Sequence, residues 1–87
     1  MELIFKKKAL ADIDFWKKSG NKIIQDKISK ILEDIDKHPY TGIGKPEALK
    51  YELTGYWSRR ISLEDRIIYR VDEENNTVYI LSLKGHY

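Results

Sequence analysis

Apolar positions along the 87-residue chain follow one period up to about residue 49 and another after it. Leu3 to Phe5 form a short apolar run that reads as a first strand. Leu10, Ile13 and Trp16 then sit three apart, which predicts a short helix ending near Ser19 and Gly20, where glycine accepts the left-handed conformation of a C-terminal cap. Asn21 is placed to cap a second helix. In it Ile24, Ile28, Ile31, Leu32 and Ile35 keep helical spacing, and Asp, Lys and Glu fill the intervening positions. This helix has to stop by His38, because Pro39 disfavours helical geometry in the residue before it. The loop PYTGIGKPE follows, held open by two glycines and two prolines.

From Lys50 onward the period falls from about 3.6 to 2, so WSRRIS, RIIYRV and TVYILSL read as three antiparallel strands. Turns are expected at Leu63 to Asp65 and around Glu74 to Asn76. With a three-residue loop at Glu74, Asn75 and Asn76, the faces can be phased. Ile67, Tyr69 and Val71 then share an apolar face with Tyr79, Leu81 and Leu83, and that face covers the helices. The opposite face carries Arg66, Ile68, Arg70, Ser82, Lys84 and His86. In that register Arg66 lies opposite Lys84, and His86 is its diagonal neighbour.

Composition narrows the class. Residues 1–87 are expected to be one domain, because either half alone would be too small to bury a core. The absence of cysteine excludes disulfide frameworks, thiolate nucleophiles and cysteine-based zinc sites. No apolar run is long enough to span a membrane or serve as a signal peptide, so a cytoplasmic protein is expected. A formal net charge of +2 is too mild to announce nucleic-acid binding, but its distribution is uneven. Arg59, Arg60, Arg66 and Arg70 fall in one segment that contains none of the lysines. Guanidinium forks match phosphate oxygens, which points to an anion site. Simple pairing with Glu64, Asp65 and nearby acids explains the cluster equally well on composition alone.

Several motifs fall away on inspection. GIGK lacks the glycine spacing and the Ser or Thr of a phosphate-binding loop, and Pro46 follows its lysine. The two histidines have no third ligand suggested, so no metal is expected. His38 suits a helix C-terminus, where positive charge is favourable. Trp57 is better read as packing than as a base-stacking platform. Glu47 between Lys45 and Lys50 is an ordinary loop ion pair unless the loop brings it to the face bearing Arg66 and His86. There, a carboxylate, a guanidinium and an imidazole would supply a proton acceptor, an anion stabiliser and a proton donor. Those are the needs of metal-free RNA cleavage, in which the 2′-hydroxyl is the nucleophile. A chain end on the open face would leave His86 and Tyr87 accessible to an RNA strand.

The stretches GKPEALK, GYWSRRIS, DRIIYRV and the final HY, with LIF and DFW near the start, resemble in order and spacing the YoeB (Txe/YoeB) toxins of the RelE/ParE superfamily. The resemblance implies a small α+β fold, a twisted antiparallel sheet with two N-terminal helices packed on one face. It implies the toxin of a type II toxin–antitoxin system, acting as a ribosome-dependent endoribonuclease of messenger RNA without cofactor. By position Glu47 resembles the family's general base, Arg66 its transition-state stabiliser, His86 its general acid and Tyr87 its substrate-positioning aromatic. Lys45, Lys50, Arg59 and Arg60 match basic positions expected to contact RNA or ribosome. The implied partners are a cognate YefM-like antitoxin, the ribosome with its message, a homodimer, and operator DNA through the antitoxin complex only, with no membrane. The last hairpin is longer than the family's, and Gly85 stands where an aromatic can occur. Two other functions fit the same fold: gyrase inhibition by contact, as in ParE-like relatives, and RNA binding without cleavage.

Overall fold

The computed structural model describes residues 1–85. Strand β1 (Glu2–Phe5) leads into helices α1 (Lys7–Ser19) and α2 (Lys22–Lys37). After these come β2 (Glu47–Ala48), a 3-10 turn at Tyr51–Leu53, β3 (Tyr56–Arg60), β4 (Arg66–Asp72) and β5 (Thr77–Ser82). The expected punctuation holds. Gly20 ends α1 at φ 71°, and the Asn21 side chain caps α2 by accepting from the Ile24 amide at 3.1 Å. His38 ends α2 one residue before Pro39.

The five strands form one sheet in the order β1-β5-β4-β3-β2. It is antiparallel from β5 to β2, but β1 joins the β5 edge in parallel, with Leu3 opposite Val78 and Phe5 opposite Ile80. The sheet is therefore mixed rather than wholly antiparallel. A chain that leaves β1 through two helices and returns late can enter beside it in the same direction, which a short turn does not allow. Both helices pack on one face, and the core joins Ala9, Trp16, Ile28, Ile31 and Ile35 to Ile61, Ile67, Tyr69, Val78, Ile80 and Leu83.

The β4–β5 hairpin corrects the phase expected from the sequence. Asp72 pairs with Thr77, so the turn holds four residues, Glu73 to Asn76, and not three. The Asp72 carboxylate accepts from the Asn75 amide and side chain at 3.2 and 2.8 Å, and Asn76 takes the left-handed conformation at φ 52°. Pairing then runs Val71 to Val78 and Tyr69 to Ile80, so Val78 and Ile80 face the helices in place of Tyr79 and Leu81. Between the Tyr69–Ile80 and Ile68–Ser82 pairs β5 carries one extra residue, Leu81, a β-bulge that returns the strand to the expected register. Beyond it Leu83 is fully buried in the core, and the Arg66 amide donates to the Gly85 carbonyl at 2.9 Å.

Candidate active site

Arg59 had been expected to contact RNA, and the structure corrects this. It points to the helix side of the sheet and is completely buried. Its Nε donates to the Tyr69 hydroxyl at 3.1 Å and its Nη1 to Asp34 Oδ2 at 2.5 Å and to the Ile43 carbonyl at 3.0 Å. Nη2 donates to the carbonyls of Thr41, at 2.9 Å, and His38. A planar fork of donors serves here to tie the end of α2 and the following loop to the sheet. Tyr69 completes the tie by donating to the Pro39 carbonyl at 2.6 Å. The Arg59 hydrogen bond holds the Asp34 carboxyl below its ordinary range, and burial pushes the Tyr69 phenol up.

The tie leaves no space for side chains at two loop positions. A Cβ on Gly42, whose φ is 122°, would fall 1.9 Å from Asp34 Oδ2. One on Gly44, at φ 80°, would sit 3.1 Å from the Arg60 carbonyl. The Gly44 carbonyl in turn accepts the Arg60 amide at 2.7 Å. So the loop does reach the sheet, and it emerges as β2 with Glu47 opposite Ser58.

The open face can be read from the register, because directly opposed residues share a face and alternate residues of a strand do too. Glu47, Ser58, Ile68 and Ser82 form one row across four strands. Arg60 and Arg66 form the next, and Tyr56, Arg70 and Tyr79 the one on the other side. Glu47 is exposed and Arg66 half-buried. They lie two strands and two residues apart, about 12 Å between backbones at ordinary sheet spacings. Arg60 is exposed on this face, and Lys45 and Lys50, in the segments flanking Glu47, are exposed to solvent. Lys45 has a positive φ of 52°, uncommon for a residue with a side chain. Ser58, within the middle row, is fully buried, and its hydroxyl has no protein hydrogen-bond partner among the described residues. His86 and Tyr87 lie outside the described residues. No three His, Asp or Glu side chains among the described residues gather to hold a metal.

Sequence reasoning missed two residues that set the end of β5. Past Phe5 the chain turns into α1, so Leu83 has no β1 partner. Asp12 Oδ2 accepts the Leu83 amide and the Trp16 indole donates to the Leu83 carbonyl, each at 2.8 Å. The Asp65 carboxylate likewise accepts the Gly85 amide at 2.8 Å. The chain beside Arg66 is thus held from both sides. Asp12, an acid only 7% exposed on the buried side of α1, broke the apolar pattern and was the available signal.

A mixed five-stranded sheet backed by two helices, with carboxylate and arginines on the uncovered face, is the build of a small bacterial α+β toxin. The YoeB/ParE toxin from Agrobacterium tumefaciens superposes with a TM-score of 0.93 over all of both chains at 33% identity. The chain belongs to the YoeB-like toxins of bacterial type II toxin–antitoxin systems, whose family pattern matches residues 5–87. It is similar to Toxin YoeB of Escherichia coli O6:H1 (strain CFT073), at 37% identity over the full length of both. It is also similar to the toxin in a heterotetrameric YoeB–YefM complex from Staphylococcus aureus, with a TM-score of 0.86 and 41% identity over 100% of this chain and 98% of that one. No helix among the described residues is long and apolar enough to cross a membrane.

Proposed function

We propose that this toxin is a metal-independent endoribonuclease that cuts messenger RNA on the ribosome and so stops translation. The observation that carries this reading is the sharing of one open sheet face by Glu47 and Arg66, with Arg60 beside them. About 12 Å of backbone separation, closed from both ends by long side chains, is room for one phosphodiester. Glu47 accepts the proton of a 2′-hydroxyl, whose oxygen attacks the adjacent phosphorus. Arg66 neutralises the charge gathering on the non-bridging oxygens. His86 gives a proton to the departing 5′-oxygen as the P–O bond breaks, and Tyr87 orients the nucleotide. The products are a 2′,3′-cyclic phosphate and a 5′-hydroxyl, and no proton is lost or gained overall. Lys45, Lys50 and Arg60 hold phosphates of message or ribosome.

The partner that silences the toxin is a YefM-like antitoxin, by analogy with the S. aureus relative, which is described in complex with YefM. Self-association to a dimer and operator binding through the antitoxin complex belong to the same reading, and the ribosome places the action in the cytoplasm. Mapping new 5′ ends on translating ribosomes tests it. Glu47→Gln should lower cleavage about 10²- to 10⁴-fold and Arg66→Gln about 10²- to 10³-fold, with unchanged thermal unfolding. Intact message at full wild-type occupancy, with inhibition of gyrase supercoiling in its place, would overturn the proposal.

A further inference from the structure

The open face holds a second feature, one strand further from Glu47. A groove of about 590 Å³ opens over β4, β5 and the start of α1, and its walls include Lys6, Tyr56, Arg70, Tyr79 and Lys84. Among the described residues five cations line it, since Lys7 and Lys8 join Lys6, Arg70 and Lys84, and no carboxylate does. Lys8 is neutralised by Asp12 at 2.8 Å, and Asp72 feels the charge of Arg70 from the hairpin side. The Lys84 ammonium lies 4.5 Å from the Phe15 ring centroid.

Tyr79 organises the centre of the groove. Its ring centroid is 5.2 Å from the Lys6 ammonium and 4.6 Å from the Arg70 guanidinium, so one aromatic holds two positive groups, one from the side of each flanking strand. Lys6 to Lys8 also stand at the start of α1, where the helix dipole disfavours cations, and the first turn contains no acid. The i,i+4 pairing with Asp12 explains Lys8, but helix stability does not explain Lys6 and Lys7. An anion in the groove does.

We infer that this groove is a second subsite for single-stranded RNA, in which Lys6 and Arg70, held in place by the Tyr79 ring between them, grip the phosphate of a nucleotide flanking the cleaved bond. The inference rests on the nuclease reading above for the identity of the strand. Ile68 joins the two places: it lines the groove and sits in the row that contains Glu47. A strand crossing from one to the other stays on one face of the sheet. The chemistry is that of sequence-tolerant binding, with cations for the backbone and no group that reads a base.

The test uses the full-length protein and a 2′-O-methyl oligoribonucleotide, which binds but cannot be cut. Fluorescence anisotropy is followed over a series of salt concentrations. Combined Lys6→Ala and Arg70→Ala substitution should weaken binding at least about tenfold and flatten the salt dependence by about 1.4 in log–log slope, two phosphate contacts at about 0.7 each. Tyr79→Leu should weaken binding about fivefold or more, whereas Tyr79→Phe, which keeps the ring, should bind as the wild type does. A Lys27→Ala, Lys30→Ala control on the exposed side of α2 should leave affinity and slope alone. Unchanged affinity and slope in the Lys6, Arg70 variant, with its circular dichroism intact, overturns the subsite. So does loss of binding to an acidic peptide while RNA binding persists, which would make the groove a protein-docking site. Failure of the nuclease reading is recognised separately, as wild-type protein that binds the oligoribonucleotide through this groove yet leaves ribosome-bound message uncut.

Discussion

At the scale of single residues, Arg59 shows how far a side chain's type can mislead. The sequence places it beside Arg60 in a basic run, and nothing in that run distinguishes the two except the alternation of a strand. That alternation sends Arg60 to solvent and Arg59 inside, where Asp34, Tyr69 and three loop carbonyls absorb its donors. The long-range partner Asp34, twenty-five positions away, is not visible from local pattern. Breaking a buried ion pair strands its partner, so Arg59→Leu should cost about 3 to 5 kcal/mol by urea unfolding at neutral pH. The pH profile checks the cause. Because Asp34 titrates low in the folded protein, its pairing stabilises fully above the ordinary carboxylate pKa and fades as pH falls through the lowered value. Wild type should therefore lose this component in acid, and the Arg59 variant, in which Asp34 has no such partner, should lack it. A variant whose stability falls with acid as steeply as wild type would refute this account.

Among the elements, the helices were legible because apolar spacing, the Asn21 cap, the Gly20 terminator and Pro39 all point the same way. The phase of β5 was not, because TVYILSL is apolar on both faces for most of its length, and only turn length decides which face turns inward. Tyr79 and Leu81 offer as large a hydrophobic surface as Val78 and Ile80 do, so pattern alone does not choose between the faces. Asp72 and Asn75 settle the matter by building a four-residue turn. The hold on the strand's end is equally specific to α1. Asp12→Ala should leave the buried Leu83 amide without its acceptor, at a cost of about 1 to 3 kcal/mol. Hydrogen exchange gives the local readout: the Leu83 amide should lose protection in excess of any global change, and equal loss across β4 and β5 would count against a local clamp.

On the scale of the whole molecule, one face of the sheet is spent on stability and the other is left uncovered. The resemblance to the YoeB toxins located Glu47 and Arg66, and strand pairing puts both on the uncovered face. The basic groove at Tyr79 was hidden from the sequence by the same phase error that assigned Tyr79 to the core. The Leu81 bulge has a wider consequence. It acts as a gear change in the middle of the hairpin, letting the tip keep one phase and the base another. Deleting Leu81 would close the bulge with Ile80 still on Tyr69 and Ser82 still on Ile68, so Leu83 would stay in the core and Lys84 on the opposite side. The shortened chain should keep both the turn at Asp72 to Thr77 and the Arg66 to Gly85 contact, each detectable by cross-strand nuclear Overhauser effects, and loss of that contact would refute Leu81 as the residue that absorbs the change of phase. The bulge thus lets the hairpin's tip and its base be set independently, one by the turn at Asp72 and the other by the clamps on Leu83 and Gly85.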